Sequence, residues 1–183
     1  MSDDVGMPTL VRAVESERDC LLAFLGEQRA ALRRATHGLD NNQARATPST
    51  SGLCLAGLIK HVTSTEENWI GTLTKHHTAS AEQSGGFDLT DRDGLPQVLE
   101  HYQLTAQRTE SIVVAVDDLG TLVPISYLNP RMPAGLMRSA RWVLLHVIEE
   151  TARHVGHADI IRESLDGATA LELVVASGTA FFA

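Results

Sequence analysis

Residues 138–167 read RSARWVLLHVIEETARHVGHADIIRESLDG, and this stretch decides the fold. It holds no proline. Asp166-Gly167 closes it, so it predicts one long helix over about 139–165. With His146 set at zero and an advance of 100° per residue, Glu150, His154 and His157 fall near 40°, 80° and 20°. Those four therefore share a face, while Glu149, Arg153, Asp159 and Glu163 fall between roughly 220° and 340°. Trp142, Val147, Ile161 and Leu165 flank the His/Glu stripe, so the stripe is expected to look inward. Glutamate is costly on a buried face unless a cation or a hydrogen-bond partner meets it. Glu150 is thus the residue that requires an explanation.

Three further segments share the 3.6-residue period. The first runs over about 8–38 with Leu10, Val14, Leu21, Leu22, Phe24, Leu25 and Leu32. The second covers about 53–75 with Leu55, Leu58, Ile59, Val62, Trp69, Ile70 and Leu73. The third covers about 95–119, with Pro96 tolerated in its first turn. Between them lie HHTASAEQSGGFDLTDRDG (76–94), read as a long loop, and TLVPISYLNPRMPAG (121–135), a proline-rich connection with room for a short extended stretch. The tail ALELVVASGTAFFA (170–183) is read as helix or coil packed on the bundle or on a partner subunit. Strand patterns are nearly absent. The expectation is a single all-α domain over 1–183, a four-helix bundle with long connections.

Composition narrows the function. The chain has 183 residues, 43% of them hydrophobic, and a net charge of −8. An acidic surface argues against nucleic acid as a partner, because phosphate binding relies on basic groups. No apolar run approaches the ~20 residues that span a bilayer, and MSDDVGMPTL has no apolar signal region. Cys20 and Cys54 form no scaffold or CxxC pattern and are expected as reduced thiols in a cytoplasmic protein.

A divalent ion would account for Glu150. Side chains at i and i+4 are neighbours on a helix surface, so Glu150 and His154 can reach one ion. A third ligand has to come from another helix. His61, in LIKHVTSTEENW (58–69), shares a face with Leu58, Val62, Thr65 and Trp69 that is expected to point to the core. Two histidines and one carboxylate leave a coordination position open, as catalytic metals require. His146, His157, Asp159 and Trp69 are candidates for lining the site or orienting its ligands. His37, His76, His77 and His101 sit in loops or on polar faces and are read as solvated. Two simpler readings stand beside this one. His61 alone fits a hydrogen-bonded core histidine, and Glu150 fits an ion pair with Arg141 or Arg33. Spacing alone does not choose between them.

The segment GLDNNQARATPSTSGLCLAGLIKHVTSTEENW (38–69), together with 138–167, resembles the DinB-like superfamily of four-helix metalloproteins. The likeness is strongest to the branch with mycothiol-dependent maleylpyruvate isomerases and mycothiol S-transferases. The elements that carry it are Gln28-Arg29, then His61 followed by Glu66 or Glu67 and Trp69, and the RW…H…EE…RH.GHADI.RE block. The resemblance implies a compact bundle, commonly a homodimer, with His61, Glu150 and His154 as ligands of a divalent metal. Zinc is the first expectation; nickel, iron and manganese also suit such ligands. It further implies a metal-dependent S-transferase joining a small-molecule thiol, mycothiol, to an electrophile. The alternatives are a metal-dependent hydrolase and a non-catalytic metal-binding or ligand-sensing bundle. The isomerases carry a further C-terminal domain, whereas here only ALELVVASGTAFFA follows Gly167, which favours the single-domain transferase type.

Overall fold

The computed structural model describes residues 11–74 and 86–178. In chain order the elements are α1 (Glu17–Arg34), α2 (Asn41–Arg45), α3 (Leu55–Gly71), α4 (Leu95–Val114), β1 (Leu122–Pro124), a 3₁₀ turn (Ser126–Leu128), β2 (Met137–Ser139), α5 (Ala140–Asp166) and α6 (Ala170–Ala176). The four long helices α1, α3, α4 and α5 form the all-α bundle that the periodicity predicts. No helix among the described residues is long and apolar enough to cross a membrane.

Capping chemistry explains the boundaries. Ser16 accepts from Asp19 N at the start of α1, with Glu17 and Asp19 in its first turn and Arg33 and Arg34 in its last, each matched to the helix dipole. This cap starts α1 nine residues later than the pattern over 8–38 predicts; residues 1–10, with Leu10, lie outside the described residues. The helix also stops at Arg34, and Gly38 takes its positive φ of 75° within the turn beyond it. Likewise α3 ends at Gly71 rather than 75, and α4 ends at Val114 rather than 119. The end of α5 matches expectation, because Gly167 adopts φ 80° and closes the helix. Asp40, expected at a turn or cap, forms a full capping box with Gln43 on α2.

The 121–135 connection is more ordered than its prolines indicate. Strands β1 and β2 pair antiparallel, Val123 opposite Arg138. Ala140 N and Arg141 N donate to Thr121 O and Leu119 O, both at 2.9 Å, which ties the connection to the start of α5. In the tail, α6 buries Leu173 and Val174. Phe24, counted in the α1 stripe, is exposed instead.

The core is divided in two. One apolar cluster joins Leu32, Leu55, Leu58, Ile59, Tyr102 and Ile161; the other joins Leu25, Ile70, Val113, Val143, Leu144 and Val147. Between them each long helix contributes buried polar groups: Arg29 from α1, Thr63 and Glu66 from α3, Thr105 and Thr109 from α4, Thr151 and His154 from α5. The bundle therefore carries a polar layer at mid-height.

Candidate functional site

Two separate constellations grow from that layer. On the α1/α4 side, Glu66 is fully buried and receives Arg29 in a two-pronged pair, Nε–Oε2 3.1 Å and Nη2–Oε1 2.5 Å. Thr109 Oγ1 donates to the same carboxylate. Both carboxylate oxygens are hydrogen-bonded and the charge is met by Arg29, so this unit ties α1, α3 and α4 together.

On the α3/α5 side the chain forms an open cleft of about 340 Å³, lined by His61, Thr65, Asn68 and Trp69 of α3, His146 and Glu150 of α5, and Leu128, Asn129 and Met132 of the connection. The two helices run antiparallel, so His61 meets His154 while Trp69 meets His146. The His61 and His154 rings stand edge-to-face at 4.7 Å between centroids. Glu150 Oε2 lies 3.9 Å from His154 Nε2. On its other side His154 Nδ1 is 3.3 Å from His157 Nδ1. With the proton on His154 Nδ1, that nitrogen donates to His157, and Nε2 presents its lone pair on the Glu150 side. Burial, followed by the nearby His61 and His157 imidazoles and Arg153, lowers the His154 pKa to about 4. At neutral pH its imidazole is uncharged, the form that binds a metal.

Phe87 packs against both imidazoles. Its ring stacks on His61 at 4.1 Å and 21° and meets His154 at 5.6 Å. Gly57 makes this possible: a Cβ there would sit 2.6 Å from Phe87 O, so only glycine lets the loop lie on α3. Toward the mouth, Trp142 and His146 stack at 5.1 Å and 10°, and Trp69 packs on His146 at 4.2 Å.

The site residues expected from sequence thus divide. His61, His154 and Glu150 are brought together, with His146 and Trp69 lining the same cleft and His157 behind His154. Asp159 is not there. It faces a separate hollow beside Arg34, Leu171 and Val174, and burial raises its pKa. The helical wheel placed it on the outer side of α5, but α6 folds over that side. Glu150 is not paired with Arg141, which binds Glu17, nor with Arg33, which lies over the Tyr102 ring. It is only half-buried, and the carboxylate deep in the core is Glu66. His101, read as solvated, pairs with Glu67 at 2.9 Å. His76 and His77 lie outside the described residues. Phe87 carried no periodic signal in the sequence; the glycine at 57 in an otherwise apolar helix was its only trace.

Whether the three residues suit a metal is a matter of reach and donor chemistry. Among the described residues, no group of three or more His, Cys, Asp and Glu side chains stands close enough together to hold a metal ion. The donor set itself is apt, two imidazoles and a carboxylate. Atoms 3.9 Å apart can also touch one ion, since two bonds of about 2.1 Å span that separation.

A family model described as mycothiol S-transferase matches residues 20–167. No protein of curated function matches the sequence. Among solved structures, the crystal structure of a conserved protein from Enterococcus faecalis superposes with a TM-score of 0.63 at 10% identity, over 85% of this chain and all of that one, a likeness of fold. With the match covering most of the chain, this protein belongs to the mycothiol S-transferase family of DinB-like helical bundles.

Proposed function

We propose that this protein is a metal-dependent S-transferase that joins mycothiol to an electrophilic small molecule. The observation that carries the reading is the meeting of His61, Glu150 and a neutral His154 at the inner end of an open cleft. His61, Glu150 and His154 would hold a divalent ion, zinc in the first instance. When bound, such an ion supplies Lewis acidity that lowers the pKa of a thiol reaching it toward neutrality.

The remaining work belongs to the chain's own side chains. His157, with its Nδ1 3.3 Å from His154 Nδ1, helps to orient the His154 ring. Phe87 stacks on the His61 ring and holds its plane, while Leu128 and Met132 give the cleft apolar walls. His146, between the two tryptophans, stands in the cleft where it can take the proton released as the thiol ionises. The cysteines are not needed as nucleophiles: Cys54 is buried at the start of α3, and Cys20 lies on α1, away from the cleft lining. On this reading the protein is a cytoplasmic homodimer, in keeping with the family's small-molecule thiol chemistry.

The test is conjugation of mycothiol to monochlorobimane, in which sulfur replaces chloride and the thiol proton and chloride ion leave to solvent. Protein supplied with zinc should accelerate bimane-conjugate fluorescence over the uncatalysed rate, and His61→Ala should abolish the gain. Equal rates for the two proteins would remove the transferase reading.

A further inference from the structure

The helix that carries His61 does not by itself set how the imidazole is turned. Rotation about the last side-chain bond of a histidine is broad, so α3 fixes where the ring stands and little more. The face of Phe87 supplies the missing constraint, 4.1 Å away and 21° from parallel. Phe87, however, belongs to no helix or strand. Its packing and that of Leu89 on the core are apolar and non-directional, which leaves the ring free to slide. Directional bonds must hold the loop in register.

Those bonds converge on Lys60, the residue before His61. Lys60 Nζ donates to Asp88 O and to Asp93 Oδ2, both at 2.9 Å. Two neighbours on α3 thus meet two neighbours on the loop, ring on ring and ammonium on carbonyl. One ammonium also joins the two ends of the run 88–93. Asp93 Oδ2 in turn accepts from Thr90 N at 2.6 Å and from Thr90 Oγ1 at 2.8 Å, which shapes the turn between them. Arg45 of α2 donates from Nη1 to Thr90 O at 3.2 Å and to Asp93 O at 3.0 Å. The Lys60 and Asp93 side chains are 32% and 22% exposed, so salt screens this pair less than a fully exposed one. Bonds between charged partners are also stronger than neutral ones. Lys60, Asp93 and Arg45 stand outside the residues that line the cleft.

We propose that Lys60 and Asp93, braced by Arg45, are positioning residues for the candidate metal site: their ion pair seats Phe87 on the His61 ring and thereby fixes the orientation in which that imidazole meets an incoming ion. The proposal rests on the metal reading for what His61 meets, but the seating of the ring is measurable without any metal. It also gives the short helix α2 a task, since Arg45 reaches the loop from there.

The experiment follows the His61 ring protons by NMR in the metal-free protein, with His61→Gln assigning the signals. Protons held over an aromatic face resonate upfield, so Phe87→Leu should move both signals downfield. Lys60→Met keeps the length of the side chain and removes its donor, and it should move them in the same direction. Asp93→Asn approaches the pair from the loop and should do likewise, which keeps the test open if Lys60→Met does not fold. Zinc affinity, read by competition with a chelating dye, should fall about tenfold in either variant, as when other groups that orient a ligand are removed. Arg141→Met is the control for general destabilisation. It breaks the surface pair with Glu17 and should change neither the His61 signals nor the zinc affinity. His61 signals that stay in place in Lys60→Met and Asp93→Asn, or zinc affinity equal to wild type in both, overturn the positioning role. Signals that move in a protein whose wild type takes up no zinc uphold the seating of the ring and overturn the metal reading instead.

Discussion

The helix α3 carries two polar constellations with opposite fates. Glu66, on the side facing α1 and α4, is fully buried, and its charge is answered by Arg29 and Thr109. His61, five residues earlier, faces α5, where a carboxylate and a second imidazole approach it without closing around it. The difference is one of completeness. A charge deep in a bundle persists only when the protein itself supplies the counter-charge. Groups at the edge of a cleft can be left for something that arrives from outside. The first arrangement is structural and the second is receptive, although residue types alone make both look functional.

That contrast can be broken most forcefully at Glu66. Glu66→Ala leaves the Arg29 guanidinium buried without its partner and should cost about 3–5 kcal/mol. In urea unfolding this appears as a lower midpoint, and in melting as a drop on the order of 10 °C. The double replacement Arg29→Met/Glu66→Leu should recover most of the loss. A single variant within about 1 kcal/mol of wild type would show that the pair does not anchor the bundle.

On the receptive side the expected effect appears on adding ligand. Zinc at a hundredfold excess over its Kd should stabilise the protein by about 2.7 kcal/mol, and His61→Ala should remove this gain while barely changing the metal-free melt. A gain that survives in His61→Ala would put the ion elsewhere. Gly57→Ala probes the seat of Phe87 behind His61. Its methyl meets Phe87 O, and the clash should cost about 1–3 kcal/mol, seen in the melt and as weaker zinc binding once Phe87 moves off His61.

The gentlest test is pH. In the metal-free protein the His154 pKa is about 4, below its ordinary value of about 6.5, so between those values the unfolded chain binds more protons than the folded one. Stability from the neutral, buried imidazole is therefore full above pH 6.5 and lost as the pH falls toward 4. Melting temperature against pH should bend downward across that window, and His154→Gln should flatten it. An unchanged slope in the variant would assign the bend to other groups.

Much of this architecture was legible in the chain. Helical period and caps are local, so the four long helices, the closing turn at Gly167 and the one-turn spacing of Glu150 and His154 could be read directly. Boundaries slipped where a cap outweighed apolar spacing, as at Ser16. The identity of the buried carboxylate was misjudged. On a helical wheel Glu150 looked enclosed, yet the α3/α5 face opens into the cleft beside it, while Glu66 was one of two adjacent glutamates with nothing to distinguish it. Asp159 was misplaced for a related reason, since the wheel of α5 contains no information about α6.

What the sequence by itself determined is the set of amphipathic helices and which side chains share a face on each, because both follow from rotation along a single chain. What only the tertiary structure decided is which faces meet. The pairing of Arg29 with Glu66, the approach of His61 to His154 and the seat of Phe87 over Gly57 depend on contacts between residues distant in sequence. Burial and charge compensation are properties of those contacts, and no local period encodes them.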